Sequence, residues 1–285
     1  MEAVDLVISY VNNKDEAWRN SFIKFCQRYN CKDRIVNMIG ERYGGIDFLK
    51  YHLKLANKNM PWLRKIFVLV SSKSQLKGME LPNNVEVVEH EYFIWNEYLP
   101  TFNSTTIEMF LWEIPNLNER FIYANDDMLP TKPMKISDFF HGNKIKIAWR
   151  EDDIGECTTI YGKQCLNCCV ALSKKLGGTI PKGKVLRPVH SYTPMIRSHC
   201  KEAFKLIKKE ILTHISAFRT QYQYNQYIYP LYEYWKYGTF KTNIDFLYTE
   251  LDKDFDLNHQ IVCVNRELKK EQVQKFVKEI NELCK

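Results

Sequence analysis

The run Phe121-Ile122-Tyr123-Ala124, closing on Asn125-Asp126-Asp127, limits the fold more tightly than any other stretch of this chain. Four apolar, β-favouring residues bounded by polar ones read as a buried strand. The acidic pair then falls at the strand's carboxyl end, the edge where ligands gather in open α/β sheets. Two adjacent carboxylates repel, so a positive partner must offset them. Magnesium is suited to that, since it takes one or two carboxylates together with substrate phosphate oxygens. A polar turn is the plainer alternative, because Asn and Asp are common turn residues. Upstream, Leu99-Pro-Thr-Phe-Asn-Ser104 reads as a loop entering a helix, with Asn103 or Ser104 as its cap and Glu108 in an early turn. Met109, Leu111, Trp112 and Ile114 supply apolar faces, and Pro115 stops the helix.

The segments before this stretch alternate strand and helix. Val4–Val11 is a strand running into the turn Asn12-Asn13-Lys14-Asp15, and Glu16–Tyr29 a weakly amphipathic helix. A polar connection containing Arg42 leads to a helix over Asp47–Lys58, ended by Pro61. Strands are expected at 62–70 and Val85–Val88. Such alternation predicts α/β architecture, with a mainly parallel sheet covered on both faces. Beyond Asp127 the pattern changes. Lys144–Trp149 is a strand candidate, and residues 150–154 a charged loop in which Arg150 is solvated. Gly177-Gly178 and Pro181-Lys182-Gly183 mark a flexible loop. Thr193 and Pro194 open a helix to about Ile211, with Ile196, Ala203, Phe204, Ile207 and Ile211 inward. The tyrosine-rich segment 222–237 is expected to pack on the core. So is a terminal helix bearing Leu268, Val273, Phe276, Val277, Ile280 and Leu283. The 285 residues therefore read as a single domain, with an α/β core over 1–150 and a largely helical part over 151–285.

A net charge of +7 suits an anionic ligand, but the lysines are scattered and no nucleic-acid stripe is evident. No apolar run reaches the ~18 residues of a membrane span. Met1-Glu-Ala-Val-Asp5 carries no basic region followed by an apolar core, so a cytoplasmic location is expected. Nine cysteines, an odd and irregularly spaced set, then read as reduced thiols. Cys165, Cys168 and Cys169, with Cys157 as a fourth ligand, offer zinc as the less favoured alternative.

Leu99–Ser104, Ile107-Glu108 and Phe121–Asp127, preceded by Pro61-Trp62-Leu63-Arg64-Lys65-Ile66, resemble the second conserved region of the Stealth family. That family comprises sugar-1-phosphate transferases: bacterial capsular polysaccharide phosphotransferases and the catalytic part of the animal lysosomal-enzyme N-acetylglucosamine-1-phosphotransferase. The Asp5-initiated strand ending Val11-Asn12-Asn13 resembles the first region, with Asn13 in place of a glycine. His190 before Pro194, followed by Phe218-Arg219, resembles the third. Residues 259–266 resemble the fourth, although Arg266 replaces an aspartate and only Asn265 carries over. Phe48 stands where the family has a glutamate.

The resemblance implies a glycosyltransferase-A-like core. It also implies transfer of a hexose- or N-acetylhexosamine-1-phosphate from a UDP-sugar to a glycan hydroxyl, releasing UMP, in capsular or surface polysaccharide synthesis. Asp126 and Asp127 then hold magnesium, or manganese in its place. Asp5, Asn12 and Asn125 lie on the nucleotide side. His190 is the expected base and Glu108, nineteen positions before Asp127, the close second. Arg219 supplies a planar fork for phosphate oxygens. Partners are the nucleotide-sugar donor, a glycan acceptor and, peripherally, the inner membrane or capsule assembly machinery. Two rivals remain. A metal-dependent glycosyltransferase would release UDP, and a lectin-like module would need no acidic pair.

Overall fold

The computed structural model describes residues 3–31, 47–180, 182–249, 255–264 and 270–285; Arg42, Pro181, Asn265 and Arg266 lie outside them. In chain order the main elements begin with β1 (Val4–Ser9), α1 (Glu16–Arg28), α2 (Phe48–Asn59), β2 (Leu63–Val70) and β3 (Val85–Glu89). They continue with α3 (Ser104–Met109), β4 (Arg120–Asn125), β5 (Met128–Pro130), β6 (Trp149–Asp153), α4 (Ile160–Leu176) and β7 (Lys184–Pro188). The last are β8 (Thr193–Ile196), α5 (Arg197–Leu206), α6 (Lys208–His214), α7 (Ile228–Lys236), β9 (Phe246–Thr249), β10 (Ile261–Val264) and α8 (Lys270–Leu283).

A five-stranded sheet runs in the order β8-β4-β1-β2-β3, parallel except for β8, which pairs antiparallel with β4. This is the mainly parallel α/β sheet expected. Its strands are apolar on both faces because helices cover both. Leu6, Ile8, Ile66, Val68, Ile122 and Ala124 join one core with Leu49, Leu53 and Ala56 of α2. Val7, Phe67, Leu69, Phe121 and Tyr123 join the other, with residues of α4, α5 and α7. A second sheet, β9-β10-β5, lies beyond the end of β4. Asp15 caps α1 by accepting from the Trp18 amide at 2.7 Å. In α8, Phe276 and Ile280 are fully buried against Leu55, Leu129 and Val262, and Phe276 meets the ring of Phe48 at 5.7 Å. Phe48 thus helps to seat the terminal helix. No helix among the described residues is long and apolar enough to cross a membrane.

Three expectations fail. Thr193 and Pro194 do not start a helix; they open β8, and α5 begins only at Arg197. An edge strand tolerates proline because its outward N–H has no ladder partner to lose. Residues 149–153, read partly as a charged loop, form β6 and pair antiparallel with β7. A two-stranded ribbon carries little burial, so its charged sequence shows no apolar alternation. Gly177-Gly178 is a packed helix stop rather than a loose loop. Gly177 holds φ +65°, and a Cβ on Gly178 would lie 2.4 Å from Trp235 Nε1. The second half is accordingly less helical than expected, since it supplies β6 to β10.

Candidate active site

β1 and β4 run in parallel register with Ser9 opposite Asn125, so both strands end at one level. The acidic turn follows β4 there and is tied to the second sheet, the Val264 amide donating to the Asp127 carbonyl at 3.0 Å. Burial pushes both carboxyls of the pair above the usual carboxylate range, and Asp126 is raised further by Asp127 and Asp47. Asp127 Oδ1 is buried with no hydrogen-bond partner. A divalent ion fits a half-buried acidic pair with an orphaned oxygen. No group of three or more His, Cys, Asp or Glu converges among the described residues, so the protein's share would be two carboxylates.

On the other face of β4, Tyr123 shares a hydrogen bond with Ser9 Oγ at 2.8 Å and reaches Glu108. Glu108 is buried on α3 and accepts from the Gln226 amide at 2.8 Å. Burial lifts its carboxyl to about 7, opposed by Arg219, the Gln226 amide and the Tyr123 hydroxyl. Asn103 builds this corner. Its side chain caps α3 at the Thr105 amide, 3.1 Å away, and donates to the Ser216 carbonyl at 3.0 Å. The 216–223 segment is thereby held over α3, and exposed Arg219 donates to Ser104 Oγ.

His190 lies beside these groups. Its Nδ1 is 3.4 Å from the Tyr227 hydroxyl, and the rings of Tyr161 and Tyr248 each stand edge-on at 5.9 Å. Burial, reinforced by Arg187 and Arg219, lowers its pKa to about 4, so the imidazole is neutral at physiological pH. Arg187 is held by Asp152 and lies over the Tyr161 ring at 5.6 Å.

The structure therefore gathers Asp126, Asp127, Glu108, Arg219 and His190. Tyr123 feels the charges of Asp126, Glu108 and Arg219, and His190 that of Arg219. Asn125 sits at the end of β4 in the same corner. Asn12 is in the turn after β1, but its side chain is spent on that turn and on Gln75. Its Nδ2 donates to the Gln75 carbonyl at 3.3 Å and its Oδ1 accepts from the Lys14 amide at 3.0 Å. Asp5 does not belong. It lies four residues before Ser9, the last residue of β1, and so about 13 Å from that end at strand rise, with both oxygens engaged. Arg64 binds Oδ1 at 2.9 Å and the Asn118 amide binds Oδ2 at 2.7 Å. Its role is structural: it neutralises Arg64 and accepts from the half-buried Asn118 amide. Cys165 and Cys168 face Asn225, whose Nδ2 lies 3.5 Å from Cys165 Sγ and whose amide lies 3.4 Å from Cys168 Sγ.

Sequence reasoning passed over Tyr123, Tyr227, Arg187 and His52. His52 left a signal, a lone histidine on the apolar face Leu49-Leu53-Ala56 of α2. The tyrosines left none, because buried aromatic strands and helices read as core.

Residues 42–148 match Stealth protein CR2, conserved region 2. That stretch takes in Glu108, Asp126 and Asp127. Over a longer span the chain is similar to curated capsular polysaccharide phosphotransferases. The capsular polysaccharide phosphotransferase LcbA of Neisseria meningitidis is 30% identical over 233 residues, 78% of this chain and 62% of the relative. The capsular polysaccharide phosphotransferase fcs1 of Haemophilus influenzae is 31% identical over 226 residues, 75% of this chain and 59% of the relative. This chain thus spans about three fifths of the length of those relatives. A crystal structure of the galactosyltransferase LgtC with donor and acceptor sugar analogs covers 98% of this chain and 95% of its own, at 10% identity and TM-score 0.42, too loose a likeness to bear on activity.

The raised Glu108 carboxyl has a consequence for stability. A carboxyl whose folded pKa exceeds its unfolded value binds more protons when folded, so the protein loses stability as pH rises from about 4.5 to about 7. Glu108→Gln keeps an acceptor for the Gln226 amide and removes the charge. The variant is expected to melt higher than wild type at pH 8, with the gap closing by pH 5. An equal gap at both pH values in thermal melts would contradict the shift.

Proposed function

We propose that this chain transfers a sugar-1-phosphate from a UDP-sugar to a hydroxyl of a glycan acceptor and releases UMP, in capsular or surface polysaccharide synthesis. One observation carries it: the half-buried acidic turn with its unpartnered Asp127 oxygen, Glu108, Arg219 and a neutral His190 share one end of the sheet in a chain similar to capsular polysaccharide phosphotransferases. The acceptor oxygen attacks the phosphorus bearing the sugar. The bond from that phosphorus to the oxygen bridging the two phosphates breaks, and UMP departs with its electron pair. His190, uncharged before the reaction, takes the hydroxyl proton. Arg219 projects from the surface beside Glu108 and offers paired N–H donors to the non-bridging oxygens, where charge builds. Asp126 and Asp127 would hold magnesium, which neutralises charge on the donor diphosphate. Glu108, protonated near neutrality, orients the acceptor hydroxyl.

The chain acts as one catalytic unit in this proposal, since residues 1–150 bring Glu108 and the acidic pair while residues 151–285 bring His190 and Arg219. The reaction is placed in the cytoplasm, peripherally at the inner face of the bacterial membrane. The test is to incubate the protein with a panel of UDP-sugars, magnesium and a hydroxylated acceptor, and to weigh the nucleotide product. UMP is expected. UDP would convert the enzyme into a conventional glycosyltransferase, and no magnesium-dependent turnover with any donor would overturn the proposal.

A further inference from the structure

His52 is fully buried on the apolar face of α2, packed with Leu49, Leu53 and Ala56 against the sheet. An imidazole there costs free energy unless its nitrogens are bonded. Both are. Nδ1 lies 3.3 Å from the Asp126 carbonyl oxygen, and Nε2 meets the Tyr192 hydroxyl. A carbonyl only accepts, so Nδ1 carries the proton; Nε2 then holds only a lone pair, and Tyr192 must donate. The directions of the two His52 hydrogen bonds are thereby set.

The two ends of this chain matter. The Asp126 carbonyl belongs to the peptide that joins the two acidic residues. Tyr192 stands two residues after His190 and directly before β8, whose Thr193 is opposite Tyr123 of β4. Because β8 and β4 are antiparallel, the acidic turn leaving β4 and the His190 segment entering β8 lie at the same sheet edge, and His52 bonds to both. The Tyr192 ring also stacks on the imidazole, with centroids 5.7 Å apart and planes 19° apart.

We propose that His52 and Tyr192 are positioning residues that hold the Asp126–Asp127 turn in its cation-binding shape and lock it to the segment carrying His190. The inference rests on the metal-assisted phosphotransfer proposed above. Groups of this kind, one step behind a metal ligand, typically change metal affinity by about 10- to 100-fold.

The test measures Mn2+ binding in the presence of UDP, by titration calorimetry or the Mn2+ electron-spin signal, alongside thermal melts and turnover. His52→Leu preserves an apolar packing volume, Tyr192→Phe removes one oxygen, and His52→Asn restores an N–H near the position of Nδ1. His52→Leu and Tyr192→Phe are expected to weaken Mn2+ binding by at least about 10-fold. His52→Asn should recover most of the loss. Should His52→Leu fail to fold, Tyr192→Phe still decides, because it leaves the ring in place. A folded Tyr192→Phe with wild-type Mn2+ affinity would overturn the inference. So would melts that fall with affinity unmoved, since that is the behaviour of a core contact alone. If wild-type protein itself binds no Mn2+ with UDP, the metal assignment falls first and the positioning role goes with it.

Discussion

Asp127→Ala is expected to lower turnover by at least ~10²-fold while leaving the protein folded, the usual scale for losing a group that serves a catalytic metal. The two halves of that expectation come from one feature. Asp127 Oδ1 is buried without a partner, and burial raises its carboxyl. Such a group weakens the fold on its own, so removing it should hold or raise the melting temperature. The sign follows from linkage. With the folded pKa above the unfolded one, the carboxylate's cost appears as pH rises through the usual carboxylate range and beyond, and is absent in acid. Asp127→Asn, which keeps the shape and discards the charge, should therefore gain most over wild type at pH 8. Saturating magnesium should erase the gap by stabilising only the wild type. Near-normal turnover of purified Asp127→Ala would remove this residue from the metal role.

His190→Ala should also cost at least ~10² in turnover, as the loss of a general base does. The pH profile separates His190 from Glu108. The free-enzyme pKa of the base appears in the acid limb of kcat/KM. With His190 near 4, kcat/KM should stay flat down to about pH 5. With Glu108 as the base, it would begin to fall near pH 7. Stability moves in the matching direction: an unfolded histidine charges below about 6.5 while the folded one stays neutral, so the wild type loses stability as pH falls toward 4. His190→Ala should lose part of that acid sensitivity. An acid limb near pH 7 that persists in His190→Ala and vanishes in Glu108→Gln would reassign the base.

Much of the fold was legible. The first four strands and helices α1 and α2 appear within a residue or two of where apolar periodicity and stop residues put them. Each of those signals is local: Asp15 caps the helix it begins, and Met60 and Pro61 close α2 before β2 starts. Thr193-Pro194 shows the limit. The same dipeptide suits a helix start and an edge strand, and only the empty place beside β4 chooses between them. The 149–153 segment failed for a related reason, because β6 is itself largely exposed and carries no apolar face to announce it.

The site divides along the same line. Asp126 and Asp127 stood out as an acidic pair at a strand's carboxyl end, whereas Glu108, His190 and Arg219 were marked by the family resemblance. Asp5 was misassigned because its partners, Arg64 and Asn118, are distant in the chain. His52 went unread because its bonds run to Asp126 and Tyr192, 74 and 140 positions away. By itself, the order of residues determined the alternation of strand and helix, the acidic corner after β4 and the supply of candidate acids, bases and cations. The tertiary structure alone decided which of them meet, which lose their water and which are merely structural. A pKa or an ion pair depends on burial and on neighbours through space, and neither is set by spacing along the chain.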